Sequence, residues 1–290
     1  MFQSKKFIVF ILIIFVSGLP ANTYGDSTSP EMQLHFINVG QGDSILIETP
    51  TGKTILIDGG PPKAGKKVVS YLKEMQVEKI DLLIATHPDI DHIGGLPHVM
   101  EAVEVDQVLD SGKIHSTKTY ARYIYQIRKQ GIPVKIAKRN QQLEIDPLME
   151  IKVLNTHGKS KNNNQSSIAL KITYNNIDFL LMSDIEKEQE QDLIAEQDVQ
   201  AEILKVAHHG SNTSTSHGFL QEVDPLVAIL TYSLENNFGH PVDRVIENLY
   251  KIDATIYSTA TFGNIVITTD GEDFLVLPEK DPMINIGSAG

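Results

Sequence analysis

Four potential metal ligands, His87, Asp89, Asp91 and His92, fall within six residues of this chain, directly after the apolar run Leu82-Leu83-Ile84-Ala85. A run of that length and composition reads as a buried strand. The cluster therefore sits where a strand gives way to a loop, and Gly94-Gly95 behind it let the backbone turn tightly. Imidazoles and carboxylates packed this densely repel one another or are costly to desolvate unless a cation binds them. A polar turn with two solvated aspartates is the plainer alternative, but a random loop seldom offers His-x-Asp-x-Asp-His on a strand end.

The 290 residues suit one large domain or two modest ones. Cysteine is absent, which removes disulfides and thiolate ligands together. A metal site must then use His, Asp, Glu and other oxygens, a hard-to-borderline set. The formal net charge of −12 counts against a chain-wide electrostatic footprint for nucleic acid. It does not exclude a nucleic-acid substrate, because a bound dication inverts the local field. Two lysine clusters, Lys63 with Lys66 and Lys67, and Lys159 with Lys161, read as solvated loops.

At the start, Lys5-Lys6 precede an unbroken apolar stretch from Phe7 to Val16, broken by Ser17-Gly18-Leu19-Pro20. This is the basic, apolar and small-residue order of a secretory signal peptide. The stretch is short for the roughly 30 Å of hydrocarbon in a bilayer. Cleavage before Asp26 is expected, making 1–25 the signal, 26–32 a short linker and 33–290 the folded domain. The expected product is secreted, with no stable membrane insertion after processing; retention as an uncleaved anchor is the alternative.

Along the domain, strands come in bunches with helices between them. Leu34–Val39, Ser44–Thr49 and Thr54–Ile57 read as successive strands, followed by a helix over Lys66–Val77. After the ligand loop come helices over Leu96–Val103 and Thr117–Gln130, and strands at Asp106–Asp110, Val134–Ile136 and Met149–Leu154. A hairpin about Asn175-Asn176 joins Ile168–Ile172 to Ile177–Met182 and leads to a charged helix over Glu186–Gln197. Strands at Ile203–Ala207 and Leu226–Leu230, a helix over Val242–Leu249 and two short strands, Thr255–Ser258 and Asn264–Thr269, complete the pattern. The order is not a regular βαβ alternation, and it fits an α/β layered domain with mixed sheets.

The chemically capable residues that follow these strands are Asp43, Asp58, the His87–His92 cluster, Asp184, His208 with His209, and His240. In open sheets flanked by helices, sites assemble beyond one sheet edge from such loops. Half of the ten histidines belong to this set, which argues for one shared site. The candidates outnumber the three ligands of a mononuclear catalytic zinc and suffice for two bridged metals about 3.5–4 Å apart, an arrangement suited to phosphoester hydrolysis. Asp184, alone at its strand end with two oxygens, suits the bridge. His35, His98, His115 and His217 read as structural or surface residues.

His87-x-Asp89-x-Asp91-His92-x-Gly94-Gly95, preceded by Leu56-Ile57-Asp58-Gly59-Gly60, resembles the metallo-β-lactamase fold superfamily. Phe36 to Ser44, Lys205 to Ser211 and Gly239-His240-Pro241 are similar to its ComEC-type hydrolase branch, over roughly Gln33 to Thr269. The resemblance implies a four-layer αββα sandwich and a metal-dependent hydrolase acting through a metal-bridged hydroxide. It implies that His87 and Asp89 bind one ion, that Asp91, His92 and His240 bind the other, and that Asp184 bridges. Asp91 thereby joins the catalytic set, Asp58 orients ligands, and Asp43 is structural near the site. His208 or His209 occupies the place of a phosphate-contacting histidine; the sequence leaves open which. Asn164, Ser167 and Ser211 are candidate substrate contacts. The third-motif region, Asn164-Gln165-Ser166-Ser167, carries no histidine, so one site is richer in oxygen. Two divalent ions follow, zinc first with manganese as the alternative. The implied substrate is a phosphodiester, DNA or a nucleotide; an acyl ester or lactam on the same fold, or a non-catalytic metal-stabilised surface module, are the rivals.

Overall fold

A computed structural model describes residues 30–156, 158 and 162–281. The expected signal segment 1–25, most of the linker, His157, Lys159 and Lys161 lie outside the described residues. The first half runs β1 (Met32–Phe36), β2 (Ile45–Glu48), β3 (Thr54–Ile57), α1 (Gly65–Glu74), β4 (Lys79–Ile80), β5 (Leu82–Ala85), α2 (Ile90–Ile93) and α3 (Leu96–Ala102). It continues with β6 (Glu104–Val105), β7 (Val108–Asp110), α4 (Lys118–Gln130) and β8 (Val134–Ile136). The second half runs β9 (Glu150–Asn155), β10 (Ala169–Tyr174), β11 (Ile177–Leu181), α5 (Lys187–Glu196), β12 (Ile203–Lys205), α6 (His217–Val223) and β13 (Val227–Leu230). It closes with α7 (Asp243–Lys251), β14 (Thr255–Ser258), α8 (Thr259–Phe262), β15 (Ile265–Thr269) and β16 (Phe274–Pro278).

Two large sheets result, one ordered β16-β15-β1-β2-β3-β5-β7-β8 and the other β14-β13-β12-β11-β10-β9. Side chains alternate across each strand, and here both faces are apolar. Ile45, Ile47, Ile55, Ile57 and Ile84 point into a central core with Ile172, Phe179, Leu181, Ile203 and Ile229 of the other sheet. Their strand neighbours Leu46, Leu56 and Leu83 point outward to Val68, Leu72, Leu96 and Tyr123 on α1, α3 and α4. On the opposite outer face Leu180, Leu204 and Ala228 meet Leu193, Phe219 and Leu249 on α5, α6 and α7. The layers are therefore helix, sheet, sheet, helix. Each fully buried Leu or Ile contributes about 1.5–3 kcal/mol, so all three apolar layers contribute to the hydrophobic stabilisation.

Strand direction sets where the site forms. β3, β5, β7 and β8 are parallel, as are β11, β12, β13 and β14. The carboxyl ends of each parallel set share one edge of their sheet, and the loops that follow them carry Asp58, the His87–His92 cluster, Asp184, His209 and His240. No helix among the described residues is long and apolar enough to cross a membrane.

Candidate metal centre

Asp58 ends β3 with a left-handed backbone (φ 56) and holds the ligand loop from beneath. Its Oδ1 accepts from the Thr86 amide (2.9 Å), and its Oδ2 accepts from the Thr86 hydroxyl (2.6 Å) and from His92 Nδ1 (2.8 Å). That bond fixes the His92 ring with Nε2 facing Asp184 Oδ2 at 3.2 Å. His87 Nε2 lies 3.7 Å from the same oxygen and 3.6 Å from Asp89 Oδ2. Asp89 Oδ1 in turn accepts from Asn163 Nδ2 at 2.6 Å. The Gly40–Asp43 turn packs directly on this loop: a Cβ on Gly42 would stand 2.1 Å from the Asp91 carbonyl oxygen.

The second sheet completes the cluster. β12 stops at Lys205, and His208 and His209 both take left-handed backbone (φ 50 and 55). The sequence reading carried the strand to Ala207, from which adjacent histidines would point opposite ways. The left-handed pair corrects this: Nε2 of His208 and of His209 both face Asp184 Oδ2, at 3.8 and 3.7 Å. His209 is buried, bonded through Nδ1 to the Thr231 carbonyl (2.7 Å), and its Nε2 is 3.5 Å from Asp91 Oδ2. His208 is partly open, with Asn164 Nδ2 3.4 Å from its Nε2.

Nε2 of His87, His92 and His209 and Oδ1 of Asp184 are buried with no hydrogen-bond partner. Buried polar atoms are normally paired, so this convergence on Asp184 is what a cation site requires before its ion is counted. Three groups among the described residues could hold one: His87 with His92 and Asp184, Asp91 with His92 and His209, and Asp43 with Asp184 and His209. Without an ion the opposite charges hold one another: burial opposes protonation, yet Asp184 and Asp58 raise the His92 pKa well above the ordinary imidazole value, and Asp184 and Asp43 raise that of His209. Burial and the neighbouring His92 push the His87 pKa down to about 4, favouring the neutral form that ligates. Burial opposes ionisation of Asp184, yet His92, His209 and His208 overcome it and hold its carboxyl well below the ordinary range. Burial likewise opposes ionisation of Asp91, but His209 and His92 bring its pKa to about 2.

Three sequence-based assignments change. His240 was expected to complete the ion site of Asp91 and His92; it falls in none of the three groups, whereas His209 lies with Asp91 and His92, delivered by its left-handed backbone. Ser167 is fully buried, donating to the Asn164 carbonyl (2.6 Å) and accepting from the Asp184 amide (3.3 Å), so it supports Asp184 from below instead of meeting substrate. Ser211 is also buried and turned into its own loop against Thr213. Two residues were missed. Asn163 precedes the Asn164 that was singled out, and it is the one that braces Asp89. Lys205 is fully buried with Nζ 2.8 Å from Asp43 Oδ2. Its signal was a lone lysine inside the apolar run from Ile203 to Ala207.

Residues 37–232 match the model of the metallo-beta-lactamase superfamily. ComE operon protein 3 of Bacillus subtilis (strain 168) is 30% identical over 259 residues, covering 82% of this chain and 33% of that protein. The chain thus spans about a third of the length of that relative. Endoribonuclease ysh1 of Schizosaccharomyces pombe is 31% identical over a shorter 78 residues, 25% of this chain and 10% of that protein. Among solved structures, the metallo-beta-lactamase fold protein YhfI from Bacillus subtilis superposes with a TM-score of 0.58 at 14% identity, covering 83% of this chain and 100% of that one.

Proposed function

The chain belongs to the metallo-β-lactamase superfamily, and on that premise we propose that it hydrolyses phosphodiester bonds of nucleic acid, single-stranded DNA foremost, with two divalent cations at the Asp184 cluster. The observation that carries this reading is the convergence of three unpartnered buried imidazole nitrogens on one carboxylate. Charge supports a pair of ions. With the imidazoles neutral, as ligation requires, the carboxylates of Asp43, Asp58, Asp89, Asp91 and Asp184 stand against the one ammonium of Lys205, an excess of four negative charges that two dications match.

We assign His87, Asp89 and Asp184 to one ion, and Asp91, His92 and His209 to the other, with Asp184 shared. Bound there, divalent ions would bring the pKa of a water nucleophile towards neutrality and stabilise attacking and leaving oxygens. The protein's own part is to hold these groups in place. Asp58 fixes the His92 ring, Thr231 fixes the His209 ring, and Asn163 fixes Asp89. His208, partly open and turned towards the centre beside Asn164, is placed to donate to a phosphoryl oxygen. This makes His208 the substrate-facing member of the pair and His209 the ligand. The name of the endoribonuclease relative favours a nucleic-acid substrate; the net charge of −12 favours a short or single strand over long duplex.

The purified chain, loaded with zinc or manganese, is offered single-stranded DNA, bis-p-nitrophenyl phosphate and nitrocefin. Turnover of the phosphodiesters, lost in His208→Ala with metal content unchanged, is the expected outcome. Turnover of nitrocefin alone would sink the proposal in favour of an acyl hydrolase.

A further inference from the structure

The loop between β13 and α7 holds an aromatic ring out into solvent beside the metal centre. Phe238 is 67% exposed. Its ring stacks on His240, with centroids 5.7 Å apart and planes inclined by 25°. His240 meets His208 edge-on at 5.5 Å, and His208 Nε2 is 3.8 Å from Asp184 Oδ2. A short series of ring contacts therefore leads from the bridging carboxylate to an open aromatic surface.

The loop is built to keep the ring there. Asn236 Oδ1 accepts from the amides of Phe238 (3.0 Å) and His240 (3.1 Å). Its Nδ2 donates to the carbonyls of Ser233 (2.7 Å) and His240 (2.6 Å). The Ser233 amide donates to Gln41 Oε1, tying the loop to the turn that carries Asp43. One side chain thus satisfies four backbone groups of the loop, and the ring it presents forgoes the stabilisation that burial would bring. A hydrocarbon ring held open by a dedicated polar brace, next to a site for phosphoryl chemistry, matches the platforms on which single-stranded nucleic acids stack their bases.

We propose that Phe238 is a specificity-determining residue that stacks on a nucleobase adjoining the phosphate at the metal centre. The inference rests on the phosphodiester reading above and adds the part of the substrate that is recognised. Stacking needs a π-face and no particular base, so the preference is for base-bearing single strands without strong sequence selectivity.

The test compares fluorescein-labelled oligothymidylate with an oligonucleotide of equal length carrying tetrahydrofuran abasic residues throughout. Binding of both to the full chain is followed by anisotropy, with calcium replacing the activating ion. Wild type is expected to bind the thymidylate more tightly, and Phe238→Ala to weaken that binding by about 5- to 100-fold while leaving the abasic strand within about twofold. Since the chain contains no tryptophan, Phe238→Trp supplies a unique fluorophore. It should retain the preference, with emission quenched by the thymidylate and not by the abasic strand. Equal weakening of both strands by Phe238→Ala, or no change in either, would overturn the inference, as would an unquenched tryptophan. Failure of the metal-loaded wild type to cleave any phosphodiester would refute the hydrolytic reading, while the binding comparison still decides the role of Phe238.

Discussion

Replacing Lys205 with methionine tests the buried charge pair beneath the metal centre. The Lys205 ammonium is fully buried, 2.8 Å from Asp43 Oδ2 and donating to the Val206 carbonyl at 2.9 Å. Asp43 is only 2% exposed, and its other oxygen accepts from the Thr231 hydroxyl. Burial alone would push the Asp43 pKa up; Lys205 first, then His209, turn the shift downward. Methionine fills much of the lysine stem's volume, so the change removes the charge with little cavity. What remains is a carboxylate out of water without its cation, and breaking a buried pair in this way costs about 3–5 kcal/mol. Adding Asp43→Asn removes that stranded charge while an amide oxygen still accepts from Thr231. Asp43→Asn alone strands the Lys205 ammonium and should cost a similar amount, so a double variant within about 1–2 kcal/mol of wild type corresponds to a coupling of at least about 4 kcal/mol. Urea denaturation followed by circular dichroism, with chelator present, measures all four proteins, and parallel m-values validate the comparison. A single variant within about 1 kcal/mol of wild type, or additive losses in the double variant, would refute the reasoning.

His35 provides a pH test well away from the metal ligands. Burial lowers its pKa to about 4, with its Nδ1 2.9 Å from the Tyr71 hydroxyl. The native state keeps the ring neutral while the unfolded chain protonates near 6.5, so this stabilisation is complete above pH 6.5 and is lost as pH falls towards 4. Between pH 7 and 4.5 it amounts to about 2.5 kcal/mol, and His35→Gln should lose that much less stability than wild type over the same range. Equal pH slopes in denaturation experiments would contradict the assignment. Gly42→Ala should displace the ligand loop, because its φ of 129 disfavours a side chain and the new methyl would meet the Asp91 carbonyl. Isothermal titration of the folded variant with zinc should show affinity reduced by about 10-fold or more; unchanged affinity would mean the turn yields without moving Asp91.

Much of the fold was legible because its strands are covered on both faces. Ser44 to Ile47 and Leu82 to Ala85 announce themselves as apolar runs only because alternate side chains serve two different cores. β16 escaped notice for the opposite reason: it is an edge strand with Leu275 and Leu277 largely exposed, held by its backbone pairing with β15. α6 is too short for its periodicity to register, and its start is marked only by Ser216 accepting from the Phe219 amide. At the site, residue types and order put His87, Asp91, His92 and Asp184 among the candidate ligands, and the fold brings these four into the candidate groups. The placement of His209 beside Asp91 and His92 was not accessible, because it depends on two consecutive left-handed residues that no side-chain pattern signals. Ser167 misled because a hydroxyl next to a site looks like a substrate contact until its bonds to Asn164 and Asp184 are seen.

The cluster is divided between two sheets: Asp58, His87, Asp91 and His92 follow strands of one, Asp184 and His209 follow strands of the other. Each candidate group takes ligands from both sheets, so its full coordination sphere forms only after the sheets have docked. Such an ion acts as a late rivet rather than a seed. It would leave the rate of folding nearly unchanged and act on the rate of opening, since interactions absent from the folding transition state slow unfolding alone.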